Sequence, residues 1–131
     1  MKSEDIKFKG KALNSGEWVV GDLLHRITDT CIAIKDMDDI VYYPVDPSTV
    51  CQFTGLKDCK GEEIFEHDLI HFVGYEPTAE VIWSEDDYAF MTTSDMNLFL
   101  LSDVIDVGNG KIEVVGNKFD KESNYGKIQS R

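Results

Sequence analysis

The sequence predicts a mostly β fold built as two units with one short helix, and three observations carry that prediction. Apolar and polar residues alternate in short runs, as in Ile6-Lys7-Phe8-Lys9. β-Branched and aromatic residues gather in strand-length stretches such as Trp18 to His25 and Ala79 to Trp83. Glycine, asparagine, aspartate and proline punctuate the intervals between them. With 131 residues, 42% hydrophobic and 14 of them aromatic, the chain can build one core or two very small ones sharing an interface, which argues against global disorder.

Taken in order, the Ile6 to Lys9 alternation starts the first strand and Asn14-Ser15-Gly16 breaks the chain. Trp18 to His25 is the next strand, with Thr30 to Lys35 as its partner. The acidic run Asp36-Met37-Asp38-Asp39 turns the chain into Ile40 to Tyr43. Pro44 and Pro47 bracket Val45-Asp46, and because proline has no amide donor a central strand is disfavoured there. The joint is placed at that point, giving an N-terminal β unit over 1–47, a second unit over 48–120 and a polar, mobile tail over 121–131.

The second unit opens with a strand over Thr49 to Thr54, then Gly55. In Asp58-Cys59-Lys60-Gly61, an aspartate at the first position and a glycine at the fourth predict a type I turn ending in a left-handed residue, hence a bulged hairpin. The polar Glu66-His67-Asp68 between Ile64-Phe65 and Leu69 to Val73 reads as a tight turn feeding a barrel strand. Ala79 to Trp83 and Tyr88 to Thr92 are strands joined by an exposed Glu85-Asp86-Asp87 turn. In Asp95 to Val107, the spacing of Leu98, Leu101 and Ile105 suits a helix, while Ser102 suits the cap of a single turn over Asp103 to Asp106; the short helical turn is favoured. Asn109-Gly110 is a hairpin signal before a last strand over Lys111 to Val115.

No apolar run approaches the roughly 18 residues of a membrane-spanning helix, the longest candidate being Leu98 to Leu101. The first residues, Met1-Lys2-Ser3-Glu4-Asp5, hold no apolar signal core, so a cytoplasmic address is expected. Cys31, Cys51 and Cys59 are odd in number and spaced for neither a disulfide framework nor zinc. They are read as reduced thiols, Cys31 and Cys51 as small buried hydrophobes.

The net charge of -12 is unevenly placed. Residues 12–110 hold only Arg26, Lys35, Lys57 and Lys60 against 20 acids, while the two ends are mildly basic. Phosphate binding draws on clustered lysine and arginine, so direct nucleic-acid binding is disfavoured, and the acidic body suits a protein partner with a basic surface.

The string Val50-Cys51-Gln52-Phe53-Thr54-Gly55-Leu56-Lys57-Asp58, then Gly61, Ile64-Phe65-Glu66 and Asp68-Leu69-Ile70, resembles the YopX-like family of phage and prophage proteins. Val45 to Val50, Ile112 to Asn117, Ile6-Lys7-Phe8 and Trp18 to Gly21 agree in order and spacing, so the resemblance covers nearly the whole chain. His67 departs from it, standing where the family usually has glycine; a left-handed backbone there would suit histidine less well than glycine. The resemblance implies a phage-derived accessory protein with a β-rich fold and a small barrel in its second half, but no established reaction or catalytic residues. The expected architecture is a small SH3-like β-barrel in the C-terminal half packed with the N-terminal β unit.

No residue is assigned a catalytic, cofactor or metal role. Glu63, His67 and His71, with Asp68 adjacent, are spaced for ligands on one helix face, but a turn followed by a strand would separate them. Asp36, Asp38 and Asp39 lack the glycine and distal glutamate of a calcium loop, and Glu85-Asp86-Asp87 likewise reads as a solvated turn. Cys59 sits in an exposed turn beside Lys60 with no positioned base. Trp18, Tyr42, Tyr43, Phe53, Trp83 and Tyr88 form either an aromatic platform or, for the most part, core, with one of the adjacent tyrosines exposed. The reading is a non-enzymatic accessory protein without cofactors that self-associates as a homo-oligomer or binds a basic host or phage protein. The alternative is a nucleic-acid-associated or DNA-mimicking module, and a small hydrolase ranks last.

Overall fold

The computed structural model describes residues 2–94 and 97–120; the tail expected over 121–131 lies outside them, as does Asp95. The chain is mostly β, in antiparallel sheets, and divides into two compact units, residues 1–53 and 54–131.

The first unit contains β1 (Phe8–Lys11), β2 (Trp18–His25), β3 (Thr30–Asp36), β4 (Asp39–Pro44) and the start of β5 (Cys51–Lys57). Their order is β4-β3-β2-β1-β5. β2 runs over the residues its composition marks, because Trp18-Val19-Val20 pairs with Lys11-Gly10-Lys9 on one side and Leu23 to His25 with Ile32 to Thr30 on the other. Gly21 leaves room where a side chain could not fit: a Cβ there would lie 2.4 Å from the Ala33 carbonyl oxygen. Two residues, Met37 and Asp38, link the paired Asp36 and Asp39, with Met37 in the left-handed region at φ 57°. Cys31, Ile32, Val45, Cys51 and Phe53 are buried.

The sequence marks the joint at the prolines, whereas the units divide six residues later. The intervening segment is tied to the first unit. The Asp46 amide donates to the Lys11 carbonyl at 2.9 Å, the Lys11 amide donates to Thr49 Oγ1 at 2.9 Å, and Cys51 and Gln52 pair with Lys9 and Phe8. Pro44 ends β4 and Pro47 opens a short 3-10 turn whose Ser48 amide is held by Asp46 Oδ1. The prolines therefore bend the chain inside the unit.

The second unit adds β6 (Glu63–Phe65), β7 (Asp68–Phe72), β8 (Ala79–Ser84), β9 (Ala89–Ser94), β10 (Asn97–Leu100), α1 (Leu101–Gly108) and β11 (Ile112–Asn117). Its five-stranded sheet runs β10-β9-β8-β7-β11, so β10 and β11 are opposite edges and hydrogen bonding closes no barrel among the described residues. Ile64, Ile70, Val81, Leu101 and Ile112 form its core, each contributing about 1.5–3 kcal/mol by burial. The predicted turn after β5 is present. The Gly61 amide donates to the Asp58 carbonyl at 3.0 Å, the Asp58 amide to the Glu62 carbonyl at 2.8 Å, and Gly61 is left-handed at φ 82°.

Two signals near the C-terminal end serve other purposes than the sequence suggests. Asp95 to Val107 divides, over its described part, into β10 and α1, because the 3-and-4 spacing straddles the junction: Leu98 is exposed on the strand while Leu101 is buried on the helix. Ser102 is not the cap, since Leu100 occupies that position and contributes no side-chain bond. Asn109 and Gly110 end the helix rather than joining two strands. Both are left-handed, at φ 48° and 79°, and the Lys111 amide donates to the Gly108 carbonyl at 3.0 Å. Asn-Gly suits two consecutive positive φ angles, which a hairpin turn and a helix terminus both use.

Candidate functional site

The polar residues that look most chemical in the sequence are engaged in holding the second unit together. Asp58 is 8% exposed, and its Oδ1 accepts from the Lys60 and Glu62 amides at 2.8 and 2.9 Å while Oδ2 accepts from the Val114 amide at 2.9 Å. One carboxylate thus fixes the β5–β6 turn and ties it to β11. Asp68, 1% exposed, accepts from the Phe65 amide through Oδ2 and from Asn117 Nδ2 through Oδ1, each at 2.8 Å. Asn117 Oδ1 in turn accepts from the Phe119 amide at 2.9 Å. Buried carboxylates satisfied in this way lock local geometry, since an unpaired charge would be costly.

His67 occupies the turn between β6 and β7 at φ 70°, the left-handed conformation that glycine adopts most readily. Its backbone is held at both ends, donating to the Val81 carbonyl at 2.6 Å and accepting from the Lys118 amide at 2.9 Å. The ring pairs through Nδ1 with Glu80 Oε2 at 2.7 Å and meets Phe119 edge-on with centroids 5.2 Å apart. These contacts offset the strain of a non-glycine residue. His71, on β7, pairs through Nε2 with Glu113 Oε1 at 2.8 Å, and Lys60 Nζ lies 2.7 Å from the other Glu113 oxygen. Those two partners, Lys60 first, hold the Glu113 carboxyl below the ordinary glutamate range. Glu63, His67, Asp68 and His71 are therefore spread over β6, a turn and β7. Among the described residues no group of three or more histidine, cysteine or acidic side chains is gathered to hold a metal ion.

The other sequence candidates lie apart. Asp36, Asp38 and Asp39 sit at the exposed β3–β4 turn, and Glu85, Asp86 and Asp87 at the β8–β9 turn, where Asp87 accepts from Ser84 Oγ at 2.9 Å. Cys31 and Cys51 are fully buried thiols that donate to Asp29 Oδ1 and to the Thr49 carbonyl, and burial pushes the Cys31 thiol up; Cys59 is exposed. The aromatic residues correct the expectation that most are core. Of the six, only Phe53 is buried; Trp18 and Tyr43 are half-buried, and Tyr42, Trp83 and Tyr88 are exposed. They lie on strands with one open face or in turns, and Trp18 is covered by the Lys9 and Lys11 ammonium groups 4.4 and 4.6 Å from its ring centre.

One opening of the unit is largely apolar. A cleft of ≈ 230 Å³ lies between Ile70, His71 and Phe72 of β7, the loop residues Tyr75, Pro77 and Thr78, Ala79 of β8, Thr92 of β9, Phe99 of β10, Val104 of α1 and Ile112 of β11. Phe72, Tyr75 and Phe99 are 41%, 59% and 53% exposed, so three rings border it without being covered. No carboxylate, lysine or arginine lines it. Beside it, all four residues of β10 are exposed, including Leu98-Phe99-Leu100. The sequence signal was the consecutive run Leu98 to Leu101, since three or more adjacent apolar residues on a strand must place some of them outward. The lining itself comes from segments up to 42 residues apart in the chain, Ile70 to Ile112, and carries no local motif.

Among the described residues no helix is long and apolar enough to cross a membrane. The family model described as YopX protein matches residues 6–123. No curated protein matches the chain.

Proposed function

The chain belongs to the YopX family, and from that premise we propose that it is a phage-type accessory protein of the cytoplasm that acts by docking a partner polypeptide rather than by catalysis. The observation that carries this is the uncovered apolar cleft of the second unit together with the exposed residues of β10. Contiguous apolar surface on a soluble domain marks an interaction site. The non-enzymatic reading is supported by the engagement of Asp58, Asp68, His67 and His71 in hydrogen bonds that shape the fold.

The second unit is read as a variant of the SH3-like barrel. Supporting this are the order β11-β7-β8-β9-β10, with the last strand beside the first of the meander, and a short helix before that last strand. The partner has a basic surface, because residues 54–120 hold 15 carboxylates against Lys57, Lys60, Lys111 and Lys118. The same acidity favours a second reading, in which the unit mimics nucleic acid toward a DNA-binding protein. Homo-oligomerisation through the β10 edge is the competing arrangement.

The test is affinity purification from the native host with the intact chain and the Phe99→Glu variant, paired with light scattering. Proteins recovered by the first and lost by the second are the expected result. Identical recoveries, or none together with a monomer, would sink the proposal.

A further inference from the structure

We infer that the second unit recognises its partner by strand addition: an extended segment lies antiparallel or parallel along the outer edge of β10, seats one bulky apolar side chain in the cleft beside Phe99, and carries lysine or arginine on either side of it. This rests on the docking reading above and goes beyond it in naming the mode of recognition and the chemistry of the occupant.

The edge comes first. β10 is the terminal strand of its sheet and pairs only with β9 among the described residues, Asn97 opposite Ser94 through Leu100 opposite Met91. A strand paired on one side leaves alternate N–H and C=O groups facing outward, ready for another strand. Natural edges are usually blunted by lysine, proline or a bulge. Asn97-Leu98-Phe99-Leu100 has no charge and no proline, and its register with β9 is unbroken.

The cleft sets the apolar anchor. Sites for drug-sized ligands run to roughly 300–1,000 Å³. At ≈ 230 Å³ this one is too small for such a molecule and suits one large side chain. The lining offers that group no charged partner, since it holds no carboxylate, lysine or arginine and His71 is already paired with Glu113.

Charge chooses between occupants. Of the elements around the cleft, the β7–β8 loop carries exposed Glu76 and α1 carries exposed Asp103 and Asp106; the nearest cation in sequence is Lys111, before β11. A second copy of this unit would bring the same excess of carboxylates to the contact, and juxtaposed like charges oppose binding. A cationic segment is drawn in, and hydrophobic seating then sets its lifetime.

The probe is a fluorescein-labelled nonapeptide in which valine and lysine alternate around a central phenylalanine, followed by anisotropy with the full chain. Saturable binding is expected, weakened at least about tenfold by Phe99→Glu. It should weaken again between about 20 and about 300 mM salt, over which the screening length falls several-fold. Two versions N-methylated on alternate amides separate strand addition from simple seating: one register must lose binding and the other keep it. If Phe99→Glu lowers the melting temperature, Leu98→Glu on the same edge replaces it.

Equal binding of a peptide with glutamate in place of lysine, lost in Phe99→Glu, would overturn the cationic occupant while leaving the docking cleft. Equal loss or equal retention for both N-methylated registers would overturn strand addition. A dimer in light scattering that Phe99→Glu splits, with no peptide bound, would assign the edge to a second copy. Binding that appears only after removal of residues 121–131 would assign it to the chain's own basic tail. Binding that ignores both edge variants would defeat the docking reading itself.

Discussion

Exchanging the buried pair Asp68 and Asn117 tests whether a carboxylate-to-amide contact fixes the β6–β7 turn. Asp68 accepts two hydrogen bonds of 2.8 Å, one from the Phe65 amide and one from Asn117 Nδ2. Bonds to a charged acceptor contribute about 1.5–3 kcal/mol each, neutral ones about 1 kcal/mol. In Asp68→Asn the remaining oxygen keeps the Phe65 amide as a neutral bond, but a new NH₂ faces the NH₂ of Asn117. One bond is weakened, one is lost and a donor is stranded, for a cost of about 3 kcal/mol.

With a urea m-value of about 1.5 kcal/mol/M, that lowers the midpoint by about 2 M. Asn117→Asp alone opposes two carboxylates and costs at least as much. The double exchange regains the pairing in reverse, with position 68 donating, position 117 accepting, and the second oxygen at 117 still receiving the Phe119 amide. The 3.4 Å contact from Asn117 Nδ2 to the Glu66 carbonyl is sacrificed. The double variant should therefore lie within about 1 kcal/mol of the parent, a coupling of several kcal/mol. Urea titrations in a Trp18→Phe background, where Trp83 fluorescence reports on the second unit, measure it. Single-variant costs that simply add, with coupling under about 0.5 kcal/mol, would show that the two side chains do not fix the turn through their mutual contact.

Three further outcomes are expected. His67→Gly should be more stable than His67→Ala by about 1 kcal/mol in the same urea assay, because both lose the Glu80 and Phe119 contacts but only glycine relieves the left-handed backbone. Glu113→Gln should destabilise most near neutral pH. The Glu113 carboxyl is held low by Lys60 and His71, so its contribution is complete above the ordinary glutamate value, about 4.3, and fades as pH falls through its lower folded value. Lys60 is held high by Glu113, so the gap should also narrow in alkali, as pH rises through the folded lysine value; melting curves of parent and variant across pH check both arms. Finally, a thiol reagent should label Cys59 alone in the native chain and all three cysteines in urea, and rapid native labelling of Cys31 or Cys51 would contradict their burial.

Much of the strand pattern was legible because alternation and turn chemistry act locally. Trp18 to His25 could be read to the residue, and Asp58 with Gly61 specified its turn, since aspartate and glycine supply the bonds and the positive φ within four residues. The β10–α1 junction was not legible. No glycine, proline or capping side chain separates Leu100 from Leu101, and leucine suits both states. The aromatic residues misled for a different reason: bulk alone does not say whether a side chain is enclosed or lies on an open sheet under lysine ammonium groups, as Trp18 does. The candidate site was the least visible part. Its walls come from distant segments, and several partners of the histidines and buried aspartates lie far off in sequence, as Asn117 does from Asp68.

The missing linker between β10 and α1 also bears on how occupancy could be seen. Leu100 ends an exposed edge and Leu101, the next residue, is 1% exposed in the core, so a ligand that clamps the strand also holds the first turn of the helix. Local opening of that turn is a route by which its amides meet solvent deuterium. A partner on β10 should then slow isotope uptake in α1 as well as along the strand it touches.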